Sequence, residues 1–226
     1  MRGQFITLEG IDGAGKSSHL SFIQAHLAKH QIEVVLTREP GGTPLGETLR
    51  QLLLTPPEAS THPALSPESE TLLMFASRQE LLLRVIEPAL QAGHWVVSDR
   101  FSDASFAYQG GGRGLPFARI AILEEWVQRG LQPDLTLLFD IPQSVAQARV
   151  ASKRKQDRFE REAADFHERV RQAYLQRANG NSRFCVLDAS ASRDTVRQDI
   201  AGRLTALIAS ITPLQDSPHA LPLAAK

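Results

Sequence analysis

The stretch TLEGIDGAGKSS, Thr7 to Ser18, decides the fold. It satisfies G-x-x-x-x-G-K-[ST] in full, with Gly10, Gly15, Lys16 and Ser17 in the fixed places. The apolar run Phe5-Ile6-Thr7-Leu8 precedes it and reads as a buried strand. After it, from about Ser17, comes a helix carrying Leu20, Ile23 and Leu27 on one face. Strand, glycine loop and helix, in that order, make a cradle for phosphate. Gly13 and Gly15 let the backbone curl until successive N–H groups point inward, and the helix adds its positive end. A nucleoside triphosphate is therefore the expected first substrate, held by Gly10, Ile11, Asp12, Gly13, Ala14, Gly15, Lys16, Ser17 and Ser18. Lys16 would reach the β and γ phosphates, and the Ser17 hydroxyl would ligate Mg2+.

Asp12 is the anomaly in this loop. A carboxylate among anion-binding amides would repel the donor unless it faces elsewhere. It is expected to serve a hydrated cation or a hydroxyl on a second substrate, against the plainer reading of an exposed turn aspartate.

Working outward, Val34-Val35-Leu36, Trp95-Val96-Val97, Leu135 to Phe139 and Phe184 to Leu187 repeat the strand pattern, separated by helical periodicity. Apolar strands alternating with helices imply a parallel sheet covered on both faces, a three-layer α/β fold. Residues 1–211 read as one domain and 212–226, TPLQDSPHALPLAAK, as a flexible tail of little periodicity. Thr55 to Pro67, rich in proline and serine, suits a surface linker between helices.

The 226 residues carry zero formal charge, so the overall balance offers no reason to expect nucleic acid or a membrane surface as partner. A single cysteine, Cys185, fits a reducing compartment. Met1-Arg2-Gly3 runs straight into a strand with no leader-like apolar segment, so a cytoplasmic protein is expected. His26 and His30 have metal-ligand spacing but no third ligand nearby, which makes them surface residues; Trp95 and Trp126 are expected to be buried.

VVSDRF puts Asp99 and Arg100 just past a buried strand, at the edge where open parallel sheets bind ligands. Asp99 is a candidate magnesium partner alongside Ser17. TREPGGT ends another strand with Arg38, and Arg38, Arg50 and Arg100 could converge on the phosphate of an acceptor, since guanidinium groups suit a fixed dianion. The basic run RVASKRKQDR, with Arg149, Lys153, Arg154, Lys155 and Arg158, is expected to form a lid over about 149–160 that neutralises migrating charge. An arginine so placed can be worth roughly 10³ to 10⁵ in rate. No pairing of nucleophile and base stands out, which fits a phosphate acceptor: a monoester is largely dianionic at neutral pH and attacks without one.

TLEGIDGAGKSS, LTREPGGTPLGETLRQLLL, LLMFASR, VVSDRFSDASFAYQGGGRGL, PDLTLLFDIP and DRFE together resemble the bacterial thymidylate kinases, P-loop nucleoside monophosphate kinases, from Phe5 to about Leu187. The resemblance implies transfer of the ATP γ-phosphate to dTMP, Mg2+ as metal, a five-stranded P-loop NTPase fold and a homodimer. It further implies that Phe75 stacks on thymine with Arg78 beside the base, that Ser105 and Gln109 meet the base edge, and that Tyr108 lies under the deoxyribose. It assigns Asp12 to the acceptor's sugar and the ion's waters, and catalysis to Lys16, Asp12, Arg100 and the lid arginines Arg149, Arg154 and Arg158. Relatives often carry F-x-x-x-R where this chain has Phe75 three before Arg78 and Met74 four before it. A GTP-dependent switch lacks its N-K-x-D here, the asparagines being Asn179 and Asn181. A kinase of another monophosphate or of nucleosides would not need TREPGGT together with AYQGGGRG.

Overall fold

The computed structural model describes residues 2–56, 63–151 and 156–211. Among them, β1 Phe5–Glu9, β2 Val34–Arg38, β3 Trp95–Asp99, β4 Leu135–Asp140 and β5 Phe184–Asp188 form one sheet in the spatial order β2-β3-β1-β4-β5. Every pairing is parallel. Parallel neighbours need crossover connections, and helices supply them. α1 Leu20–Lys29 links β1 to β2; α2 Pro44–Leu54, α3 Pro67–Leu81 and α4 Glu87–Gln91 lead to β3. α5 Ser102–Ser105 and α6 Phe117–Gln128 lead to β4, α7 Gln143–Ala151 and α8 Ala164–Ala178 to β5, and α9 Arg193–Ile211 closes the described chain.

Successive strand residues face opposite sides of the sheet, and the two cores follow from that alternation. Phe5 and its register partner Val96 join Phe75, Leu81, Leu82, Ile86 and Ile120, from the α3 to α4 stretch and α6. Ile6 and Leu8, with Val97 and Leu137, join Ile23 and Leu27 of α1 and Val196, Ile200 and Leu204 of α9. All of these side chains are under 1% exposed except Phe75 and Val196, so both faces are closed and the three-layer expectation holds.

Helix starts obey local chemistry. Thr43 accepts a hydrogen bond from the Gly46 amide at 3.0 Å with Pro44 in the first turn of α2. Ser66 accepts one from the Ser69 amide at 3.1 Å ahead of Pro67 and α3. Capping by Ser or Thr followed by proline stabilises a helix start by about 1 kcal/mol. Part of the expected linker, residues 57–62, and the tail, 212–226, lie outside the described residues. No helix of the described residues is long and apolar enough to cross a membrane. Trp95 is buried as expected, but Trp126 is 74% exposed on α6, because its neighbours Ile120 and Val127 take the inward face of that helix.

The glycines of AYQGGGRG acquire a physical reason. After α5 the chain continues as a π-helical segment, Phe106–Gly112, laid against α8. A Cβ on Gly111 would come within 2.5 Å of the Ala173 Cβ and 2.8 Å of the Arg169 carbonyl oxygen, both on α8. This close approach brings Tyr108 and Gln109 under the same helix that carries Tyr174. Gly111→Ala is expected to cost about 1 to 3 kcal/mol of unfolding free energy through overpacking, read as a lower urea midpoint at unchanged m-value.

Candidate active site

The sheet register assembles the site at one edge. Leu8 pairs with Asp99 and Asp99 with Arg38, so β1, β3 and β2 end side by side. There a cavity of about 590 Å³ opens. The loop residues Asp12, Gly13, Gly15, Lys16, Ser17 and Ser18 line it, with Arg38, Arg50, Asp99 and Arg100 from the strand ends and α2. Met74, Arg78, Ser105, Tyr108 and Gln109 continue the wall, and Arg149, Asp157, Phe159 and Glu160 complete it. Arg38, Arg50 and Arg100 thus share one cavity with the glycine loop.

The loop is wound tightly. Gly13 has φ +87°, and a Cβ there would meet the Ala146 carbonyl oxygen at 2.4 Å, so the position is confined to glycine. Lys16 folds back over the loop, its Nζ donating to the Gly10 and Ile11 carbonyls at 2.9 and 3.0 Å. Burial, reinforced by the Arg100 charge, brings its pKa down to about 8. The Ser17 hydroxyl donates to Asp99 Oδ2 at 3.1 Å, and Asp99 Oδ1 is buried with no hydrogen-bond partner.

Asp12 turns away from the loop amides toward Arg100. One guanidinium nitrogen of Arg100 donates to Asp12 Oδ1 at 2.6 Å, and the Tyr108 hydroxyl donates to Oδ2 at 2.8 Å. Burial would raise the Asp12 pKa, but the charges of Arg100 and Lys16 overcome it and hold the carboxyl well below the usual range. The plain turn-aspartate reading is therefore set aside. The other Arg100 nitrogen donates to the Gly10 carbonyl at 2.9 Å and the Tyr174 hydroxyl at 3.1 Å. The Tyr174 hydroxyl in turn donates a hydrogen bond to Glu9 Oε2 at 2.7 Å, and the Phe101 amide donates to Glu9 Oε1 at 2.7 Å. Arg100 holds φ +75°, a left-handed backbone that costs roughly 1 to 2 kcal/mol for a residue with a side chain. This set of hydrogen bonds is what offsets it.

At the far wall, Arg78 is 2% exposed and forks onto Glu39, with Nε and a terminal nitrogen 2.9 and 2.7 Å from Oε2. The same terminal nitrogen donates to the Ser105 hydroxyl at 3.0 Å, while the remaining one, NH1, is buried without a partner. Arg78 also lies over the Phe75 ring, 4.4 Å from its centre. Phe75 itself sits in the core cluster and does not line the cavity; its neighbour Met74 does. Both residues flank Arg78 on α3, and the packing of that helix turns Phe75 into the core and leaves Met74 on the cavity wall.

The arginines expected in a lid divide. Arg149 lines the cavity and donates to the Ala189 carbonyl at 3.2 Å and the Gly13 carbonyl at 3.5 Å. Arg158 is held outside it, by Glu70 at 2.7 Å and the Leu53 carbonyl at 2.8 Å. Arg154, with Lys153 and Lys155, lies outside the described residues. Arg38 pairs with Glu47 at 3.0 Å, and Arg50 donates to the Pro40 carbonyl at 2.8 Å.

Sequence reasoning missed the acids behind these arginines: Glu9, Glu39 and Glu70. Burial pushes the Glu9 carboxyl up to about 8, and burial raises that of Glu39 as well. A charged residue closing the apolar strand FITLE was a legible signal for Glu9. Glu70 had none, lying in the polar first turn of α3 where acids are common.

A family model described as thymidylate kinase matches residues 8–200. The chain is 59% identical over 208 residues to a thymidylate kinase of Chromobacterium violaceum, covering 92% of this chain and 96% of that one. It is 57% identical to one of Methylobacillus flagellatus, over 88% and 96% of the two chains. With one of Ralstonia nicotianae it shares 54% identity over 92% and 100%. Sheet order, glycine loop and cavity agree with this likeness, and the chain belongs to the thymidylate kinase family.

Proposed function

We propose that the chain transfers the γ-phosphoryl group of ATP to dTMP, giving dTDP and ADP. The observation that carries this reading is the continuity of one cavity, with the glycine loop and Lys16 in one part and Arg78, Ser105 and Gln109 in another. Lys16 and the loop amides hold the donor phosphates; Arg38, Arg50 and Arg100 bind the acceptor's phosphate between them and the base wall. Arg100, tied to Asp12 and to the Gly10 carbonyl, spans donor loop and acceptor site. Catalysis here is positioning and charge stabilisation, because the acceptor dianion brings its own nucleophile. Met74 is the platform under the base, Tyr108 packs against the deoxyribose, and the unpartnered nitrogen of Arg78 is free to donate to a base carbonyl. Arg149 serves the donor side, Asp12 and Tyr108 orient Arg100, and Arg158 ties the lid to α2 and α3.

The residues fit Mg2+ as the metal. Ser17 and Asp99 are hydrogen-bonded neighbours, and the orphaned Asp99 Oδ1 is a buried acceptor in want of a cation or its waters. Bound there, the ion would offset charge on the β and γ oxygens. We read the enzyme as cytoplasmic, in keeping with its one buried thiol, Cys185. We also read it as a homodimer, which would cover Ile122 and Trp126 of α6, exposed by 69% and 74%, and Leu72 of the adjoining α3, exposed by 55%.

A coupled assay offering dTMP, dUMP, CMP, AMP and thymidine should show dTMP turned over fastest; faster turnover of another acceptor refutes the assignment. In the same assay Arg100→Ala is expected to lose at least about 10²-fold in kcat while ATP still binds. Calorimetry in buffers of different ionisation enthalpy tests Lys16. With a pKa near 8 it is mostly neutral at pH 8.5, and donor phosphates restore its proton, so ATP binding should take up protons there. Lys16→Met should abolish that uptake. Sedimentation should find a dimer that Trp126→Glu dissociates; a wild-type monomer at tens of micromolar disposes of the dimer alone.

A further inference from the structure

Glu70 stands at the start of α3, fully buried, and makes no contact with the cavity. Its Oε2 accepts from Arg158 at 2.7 Å and from Arg113 Nε at 3.3 Å. Its Oε1 accepts from the side-chain amide of Gln109, Nε2 to oxygen 2.8 Å. Gln109 is itself 1% exposed and lines the cavity beside Ser105 and Arg78.

A glutamine amide has a donor end and an acceptor end, and which one faces a ligand is settled by what the other end meets. A carboxylate flanked by two guanidiniums is an acceptor only. Gln109 must therefore spend its nitrogen on Glu70, and its oxygen is the atom left for the cavity. Arg78 NH1, buried and unpartnered, supplies a donor on the same wall. A donor next to an acceptor matches the O4 and N3–H edge of thymine or uracil. Cytosine presents the reverse, an amino donor beside a bare N3 acceptor, and would set lone pair against lone pair at Gln109.

We propose that Glu70 is a positioning residue that sets the base selectivity of the acceptor site by locking the Gln109 amide with its oxygen toward the base. This rests on the reading of the cavity as a pyrimidine monophosphate site. Replacing Glu70 by Gln keeps size and leaves an oxygen for the arginines, but puts an NH2 group where Gln109 met a carboxylate oxygen. Gln109 then flips, and its donor end faces the base.

The test compares kcat/KM for dTMP and 5-methyl-dCMP, which share the methyl group and differ only at the N3 and C4 edge. In Glu70→Gln the ratio of dTMP to 5-methyl-dCMP is expected to fall about tenfold or more. Gln109→Leu should lower it by a similar factor, and the double variant no further than either alone. An equal loss on both nucleotides in Glu70→Gln, with the ratio unchanged, overturns the proposal and leaves Glu70 as an anchor for Arg113 and Arg158. Should that variant not fold, an unchanged ratio in Gln109→Leu overturns it equally. A wild-type enzyme that uses neither nucleotide defeats the dTMP reading first, and this inference with it.

Discussion

The pairing of Arg100 with Asp12 is the interaction on which the arrangement of this site depends. One residue follows β3 and the other sits in the loop after β1, and the two strands are neighbours in the sheet. Parallel pairing alone brings their ends together, but only loosely. The bidentate demands of the guanidinium, met by Asp12, Tyr108, Tyr174 and the Gly10 carbonyl, fix the loop relative to the end of β3 and to α8. An acid inside the glycine loop is thus a structural tie between that loop and the end of β3 rather than an electrostatic error. Its negative charge is already committed to a cation, so the donor meets little of it.

The same logic recurs around the cavity. Arg78 has Glu39 in the cavity wall, and Arg158 has Glu70 just outside it. Burying an arginine without a partner would be prohibitive, and burying it with one is close to neutral in stability. What the pairing contributes is direction. A planar fork held on one side by a carboxylate presents its remaining N–H groups in a fixed plane on the other. Catalysis by charge stabilisation needs that preorganisation, since donors that must reorient give back part of their advantage.

Much of this was legible from the chain. The strand FITLE, the loop and the first helix fall where the periodicity and glycine spacing put them, because backbone geometry there leaves few alternatives. Arg38, Asp99 and Arg100 reach the cavity because residues at the ends of parallel strands must lie at one edge. Residues whose placement depends on packing between distant elements were not legible. Phe75 and Met74 differ by one helical step, 100° of rotation, and only the depth of α3 against α6 tells which faces inward. Trp126 looked like core by its chemistry and is not, since the stripe on α6 was already filled by Ile120 and Val127. Arg158, in a basic run, looked free to reach a phosphate, yet its partner Glu70 lies 88 residues earlier in the chain. The spacing carries no trace of that contact.

Counter-charging Arg38, Arg78 and Arg100 with Glu47, Glu39 and Asp12 has a further effect on what the protein does in a crowded cell. A pocket holding several naked cations would attract any polyanion, and a chain of zero formal charge would owe its stickiness to that one spot. With Glu47, Glu39 and Asp12 set against three of its arginines, the cleft carries less net positive charge, and less is left for messenger or transfer RNA to grip. A compact nucleotide that fits the walls can still compete for the arginines at close range. Shape, more than long-range attraction, then decides what is admitted.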